Sequence, residues 1–181
     1  MEREPKDYDV ATDAAPRRVQ ELFPEALAVG AQFGVMLVRR EGVQVEVATF
    51  RSDHAYLDGR RPVGVTFTAS AEEDVRRRDF TINGLLLDPA EDRVLDFVGG
   101  RRDLEARLVR AIGDPAERFA EDHLRLMRAV RFAARLGFEI EPATLAAIRE
   151  HRGAIERVAV ERVREELVRI LTEGGARRGF E

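Results

Sequence analysis

A chain of 181 residues with 44% hydrophobic and 35% charged residues can bury a sizeable core and is too apolar for a disordered segment. Its formal net charge of −4 speaks against a broad basic face for nucleic acid, so the position of each arginine carries more meaning than their number. No apolar run approaches the roughly 20 residues of a membrane span and the start is no secretion signal, so no membrane partner is expected. Cysteine is absent and His54, His123 and His151 are scattered, which leaves no disulfide framework and no zinc cluster and makes a reducing cytoplasm the default setting.

The first predicted element is a strand over residues 6–12. In a strand, Asp7 and Asp9 share one face and Tyr8 and Val10 the other. Two neighbouring carboxylates are tolerable in water or around a cation, and taken alone a solvated Asp-x-Asp is the simpler reading. A helix is predicted over 15–23. Strands over 35–38 and 43–50 flank Glu41-Gly42, a tight hairpin signal. Glu46 falls on the polar face of the second strand, either as an ordinary exposed residue or as a third carboxylate beside Asp7 and Asp9. Residues 51–62, with Asp58-Gly59-Arg60-Arg61-Pro62, read as a loop. Further strands are predicted over 63–68 and 93–98 and a helix over 72–77. Gly99-Gly100 is a plausible hinge. Residues 1–112 thus form a mixed α+β layer domain.

From residue 113 onward the pattern is helical, giving a second domain over 113–181. Pro115 follows an Asp cap, Phe119, Leu126, Met127, Val130, Ala133 and Ala134 share one side, and Gly137 ends the helix. Two more helices are predicted over 142–151 and 160–171.

Two polar stretches could carry chemistry besides the carboxylates. In the segment Asp74-Val75-Arg76-Arg77-Arg78-Asp79-Phe80-Thr81-Ile82-Asn83, arginines can grip phosphate oxygens while Asp79 accepts from a ribose hydroxyl. A charged helix end with local ion pairs explains the same residues. In the helix after Pro115, Arg118, Glu121, Asp122, Arg125 and Arg128 fall within about a third of the circumference. Asp122 and Arg125, one turn apart, could present an acceptor and a fork of donors to a base edge. A solvated face laced with ion pairs is the alternative.

The order of these blocks along the chain closely resembles the bacterial-type (class II) tRNA nucleotidyltransferase and poly(A) polymerase family. Asp7-Tyr8-Asp9-Val10-Ala11-Thr12 resembles the end of its metal-binding motif, and Glu46 to Arg51 with Tyr56 and Asp58 to Pro62 its third strand and flexible loop. Arg77-Arg78-Asp79-Phe80-Thr81-Ile82-Asn83 is similar to its ribose-recognition motif, and Asp96-Phe97-Val98-Gly99-Gly100 with Asp103-Leu104 to its head–neck hinge. Glu121-Asp122-His123-Leu124-Arg125 and Arg128 to Phe132 resemble its amino-acid template. Glu161-Arg162-Val163-Arg164-Glu165-Glu166-Leu167 resembles the last motif, which supports the template helix.

The resemblance implies a polymerase-β-like nucleotidyltransferase head, a mixed sheet with flanking helices, followed by an all-helical neck. It implies two Mg²⁺ ions on Asp7 and Asp9 for two-metal phosphoryl transfer, beside which Glu46 stays the candidate third catalytic carboxylate. It places the nucleotide on Arg77, Arg78, Asp79, Asn83, Asp122, Arg125 and Arg128. The expected activity is template-independent addition of CMP and AMP from CTP and ATP to tRNA 3′ ends, with poly(A) synthesis as the alternative inside the family. Two departures are expected to matter: the glycine-rich segment that precedes Asp-x-Asp in the family is missing, and the chain stops soon after the last motif. A nucleotide-binding fragment without turnover is the competing expectation.

Overall fold

The computed structural model describes residues 7–53 and 64–181. Lys6 and the Asp58-Gly59-Arg60-Arg61-Pro62 loop lie outside the described residues. Packing divides the chain into two compact units. The first holds the residues up to 53 together with Gly64–Asp74, and the second begins again at Val75 and runs to Glu181.

The first unit is built on a four-stranded sheet. In chain order its elements are β1 (Asp9–Thr12), α1 (Pro16–Leu22), β2 (Leu27–Gly30), β3 (Val35–Arg40) and β4 (Val43–Thr49). The strand order is β1-β4-β3-β2, with β1 parallel to β4 and the other pairs antiparallel. The hairpin forms as the Glu41-Gly42 signal predicts. Arg40 pairs with Val43, and Glu41 and Gly42 have φ of 52° and 80°, both in the left-handed region a primed turn requires. Alternation along β3 and β4 puts Met36, Val38 and Val47 on one face, where they pack with Val19 of α1 and Ala26. Residues 51–53, expected as loop, form β5 (Arg51–Asp53), paired antiparallel with β6 (Val65–Phe67). No apolar alternation announces this strand. Cross-strand pairing makes it, helped by the Arg51 guanidinium, which donates to the Phe33 carbonyl and to Asp53.

Helix α2 (Ala71–Arg76) leads into the second unit. There follow the hairpin β7 (Leu85–Asp88) and β8 (Arg93–Asp96), α3 (Gly100–Glu105), and β9 (Leu108–Val109). Next come α4 (Pro115–Glu121), α5 (Arg125–Leu136), β10 (Glu139–Ile140), α6 (Pro142–His151), α7 (Val160–Thr172) and α8 (Ala176–Phe180). The two-residue strand β10, parallel to β9, is the one departure from helix among the described residues after 113. Phe80, Val109, Phe119, Leu126, Ala129, Ala133, Phe138 and Ala147 form one core. Phe80 and Phe119 are each 0% exposed; burying a side chain of that size stabilises by roughly 1.5–3 kcal/mol. Because Phe80 and Val109 belong to that core, the packing boundary falls at 74/75 and not at the change of texture at 112/113.

Two local expectations change. The single helix expected from Pro115 to Leu136 is broken after Glu121. Asp122 is extended, with φ −144° and ψ 103°, and α5 starts at Arg125. The break stands because Asp122 serves the second helix: its carboxylate accepts from the Leu124 N–H at 3.1 Å and its carbonyl from the Arg125 N–H at 3.0 Å. Gly99-Gly100, read as a hinge, lies in a turn anchored by Asp96. Gly99 has φ 80°, and Asp96 accepts from the backbone N–H groups of Val98, Gly99, Gly100 and Arg101 at 2.8–3.2 Å.

Candidate active site

The carboxylates expected to hold metal lie in the first unit. Asp9 is the register partner of Glu46 across the parallel β1–β4 pair, so the two side chains leave the same face on strands roughly 4.7–4.9 Å apart. Both are exposed, as is Asp7, which precedes the first residue of β1 and is therefore not fixed by strand geometry. Among the described residues no three or more His, Asp or Glu side chains converge into a closed metal cage. An open set of carboxylates nevertheless fits Mg²⁺. That ion keeps several waters and binds through one or two protein carboxylates plus substrate phosphates.

The residues expected to bind nucleotide all lie in the second unit, and most of them meet. Past the end of α2, residues 77–79 turn, Phe80 forms a bridge to Ala111, and Thr81–Asn83 make a 3₁₀ turn. This folds Asn83 back onto Asp79. Asp79 Oδ1 accepts from the Phe80 N–H at 2.8 Å and from Asn83 Nδ2 at 3.0 Å, while Oδ2 accepts from Arg128 Nε at 2.7 Å. Arg128 Nη2 stands at 2.7 Å from the same oxygen, so this carboxylate, 8% exposed, has its acceptor sites filled. Arg78 Nη1 donates to the Asn83 carbonyl at 3.0 Å and ties the arginine run to the same turn.

Arg125 and Asp122 occupy neighbouring places but different elements, so the single stripe expected of them is not formed. Arg125 is 8% exposed at the start of α5. Its Nη1 donates to Glu121 at 2.6 Å and to the Arg118 carbonyl at 3.0 Å, and its Nη2 donates to the Arg77 carbonyl at 3.1 Å. Glu121 also pairs with Arg118. Asp122 sits in the break, where Arg162 of α7 grips both of its oxygens at 3.2 and 2.8 Å. Bidentate pairing of this kind fixes a carboxylate in plane as well as in position.

A second set of arginine pairs links α5 to α7. Arg131 donates to the buried Glu166 at 2.6 Å, and Arg128 Nη1 lies 4.0 Å from the other oxygen of Glu166. Both guanidinium groups lie over the ring of Phe132, at 5.5 Å for Arg128 and 4.3 Å for Arg131. The pairing of Glu121 with Arg118 and Arg125, and the individual partners of Arg162 and Glu166, were not read from the sequence. Glu121 was visible there as an acid three residues after Arg118 and four before Arg125. The other two pairings span long sequence separations that no local pattern encodes.

Two carboxylates have displaced acidities. Burial alone would raise Asp96, but the four backbone N–H donors outweigh it and hold its pKa below the usual carboxylate value. Burial also pushes Glu141 upward, and the Thr144 N–H and hydroxyl, the Ala143 N–H and the nearby Arg110 charge together bring it below its ordinary value. Among the described residues no helix is long and apolar enough to cross a membrane.

The chain matches the family described as "Poly A polymerase head domain" over residues 1–110, and that described as "Probable RNA and SrmB- binding site of polymerase A" over residues 137–181. It is 44% identical over 181 residues to the CCA-adding enzyme of Bacillus licheniformis, covering 100% of this chain and 45% of that protein. Among solved structures it is similar to the Bacillus stearothermophilus CCA-adding enzyme in complex with CTP, with a TM-score of 0.89 and 38% identity, over 98% of this chain and 42% of that one. The Thermotoga maritima CCA-adding enzyme complexed with tRNA matches with a TM-score of 0.76 and 25% identity, over 98% and 41% of the respective chains. The chain spans less than half the length of the curated relatives it matches.

Proposed function

The chain belongs to the poly(A) polymerase head-domain family, within the class II tRNA nucleotidyltransferases and poly(A) polymerases, and from that premise we propose that it carries the head and neck of a template-independent RNA 3′-end nucleotidyltransferase. In this reading residues 1–112 are the head and 113–181 the neck, a division by family match over residues 1–110 that differs from the packing boundary at 74/75. CTP and ATP donate CMP and AMP to a tRNA 3′ end, a substrate set that puts the reaction in the cytoplasm. The similarity to enzymes named for CCA addition supports the tRNA substrate.

The observation that carries the proposal is that Arg78, Asp79 and Asn83 of one turn meet Arg128 of α5, forty-nine residues on from Asp79. The primer 3′-hydroxyl attacks the α-phosphorus of the triphosphate, a P–O bond forms, and pyrophosphate leaves with the bridging electrons. Asp7, Asp9 and Glu46 supply the carboxylate oxygens for Mg²⁺. When bound, that ion lowers the pKa of the attacking hydroxyl and neutralises the triphosphate. Arg77 and Arg78 hold phosphate oxygens. Asp79 takes the ribose hydroxyl by exchanging part of its contact with Arg128, which is then free to grip the nucleotide. Asp122 and Arg125 read the base edge, exchanging contacts now made to Arg162 and Glu121.

The test is extension of a tRNA transcript lacking its terminal CCA with labelled CTP and ATP and Mg²⁺, beside direct titration of both nucleotides. Ordered CMP and AMP addition is expected. Long AMP tracts without CMP would reassign the reaction to poly(A) synthesis. A chain that neither extends RNA nor binds either nucleotide would sink the proposal.

A further inference from the structure

The turn that carries Asp79 is held from behind by a buried network. Asp103 of α3 is 1% exposed, and its Oδ2 accepts from Thr81 Oγ1 at 2.8 Å and from Arg110 Nε at 2.9 Å. Arg110 also pairs with Glu141 at 3.3 Å. Glu141 caps α6 by accepting from the N–H and the hydroxyl of Thr144, each at 2.8 Å, and the Thr144 hydroxyl accepts from the Ala111 N–H at 3.1 Å. The backbone closes the frame: the Thr81 N–H donates to the Arg110 carbonyl at 2.9 Å and the Ile112 N–H to the Asp79 carbonyl at 3.0 Å. Gly100 brings α3 hard against the same turn, since a Cβ there would stand 2.3 Å from the Thr81 carbonyl oxygen.

Every element of this frame meets the chain at Thr81 or its neighbours. Thr81 opens the 3₁₀ turn that Asn83 ends, and Asn83 orients Asp79 through its amide. A rotation of the turn therefore moves the Asn83 amide and the Asp79 carboxylate together. The backbone bonds restrain the entry to the turn, and the Thr81 hydroxyl is its side-chain tie to α3. Asp103 has a fixed place because Arg110 holds it from the other side and Asp96 anchors the start of its helix.

We propose that Asp103, acting through the Thr81 hydroxyl, is a positioning residue for recognition of the ribose 2′-hydroxyl by Asp79. Sugar selectivity then depends on a hydrogen bond that never touches the nucleotide. The inference rests on the ribose role given to Asp79 above.

Thr81→Val removes the donor, keeps the shape, and leaves Asp103 paired with Arg110, so no buried charge is orphaned. Titration of ATP and dATP should show dATP affinity unchanged within about twofold and the preference for ATP lowered about fivefold, less than the full loss of a hydrogen bond to a charged group because the tie acts at one remove from the ribose. Thr81→Ser, which keeps the hydroxyl, should retain the preference. Thr81→Ala removes the same donor with a smaller side chain and should give the same loss; it serves if the valine variant does not fold. A hydroxyl-free variant that melts lower yet discriminates like the parent chain would overturn the proposal, leaving Asp103 a structural role only. A parent chain that binds ATP and dATP equally would overturn the ribose reading itself, and this inference with it.

Discussion

Arg128 and Asp79, forty-nine residues apart in the chain, meet through a charge-assisted hydrogen bond of 2.7 Å. The contact joins the turn after α2 to the second turn of α5, and it brings a guanidinium and a carboxylate into the place where the sugar is expected to bind. Asp79→Ala should narrow the preference for ATP over dATP by roughly 1.5–3 kcal/mol, the range for a hydrogen bond to a charged group. Arg128→Ala should weaken binding of both nucleotides and also lower the melting temperature, because it leaves Asp79 without a counter-charge. Titration and thermal melting of both variants check this; an unchanged ATP/dATP ratio in Asp79→Ala would make Asp79 a partner of Arg128 and no more.

The carboxylates of the first unit should behave in the opposite way. Asp9 and Glu46 are exposed on the sheet face, so Asp9→Ala or Glu46→Ala should change stability by less than about 0.5 kcal/mol. Nucleotide addition should nevertheless be abolished for Asp7→Ala and Asp9→Ala and strongly reduced for Glu46→Ala. Extension assays paired with melting curves read both effects, and near-parental extension by the two aspartate variants would remove the metal assignment.

For base selection, the two expected readers separate energetically. Asp122 loses a backbone contact to Leu124 and a partly exposed pair with Arg162 on truncation, so Asp122→Ala should cost about 1–2 kcal/mol. Arg125 is buried against two carbonyls and Glu121, and its removal should destabilise by about 2–4 kcal/mol. Titration with all four ribonucleotides should show ATP and CTP losing their advantage over GTP and UTP in Asp122→Ala, at roughly 1–3 kcal/mol per bidentate contact. Equal binding of all four by the parent chain would count against base reading.

Acid should loosen the second unit through Glu141. Its folded pKa lies below the usual 4.5, so the ionised form contributes stability above that value, and the contribution is lost as pH falls through the folded value. Asp96 acts in the same sense below its usual 3.8. Urea unfolding of the parent chain at pH 7, 5, 4 and 3 should show stability falling below about pH 4.5, with a shallower fall in Glu141→Gln. Parallel curves would place the acid sensitivity elsewhere.

What could be read from the sequence was what short range controls. The hairpin was legible because Glu41-Gly42 is a two-residue turn between alternating strands, and Asp114, Pro115 and Gly137 marked helix ends by local chemistry. The break at Asp122 was hidden because the apolar positions Phe119 and Leu126 continue in helical step across it. The clue was Asp122 itself, a residue that caps helices as readily as it sits on them. Strand β5 was missed since its pairing to Phe67 gives no apolar alternation. The candidate nucleotide residues were named by motif, but their present partners were not: the pairing of Arg162 with Asp122 and of Arg128 with Asp79 is set by tertiary packing, which a single sequence does not display.

Arg162 follows Asp122 by forty residues, and that distance orders events during synthesis. Chains emerge and fold from the N-terminus. The link between α4 and α5 leaves the ribosome with its acidic residue uncompensated, and remains so until α7 has emerged and folded back onto α5. A nascent chain halted before Arg162 therefore has α4 and α5 but lacks the guanidinium that holds both oxygens of Asp122. The fixed orientation of Asp122 is completed only once α7 has been made, late in the synthesis of this unit.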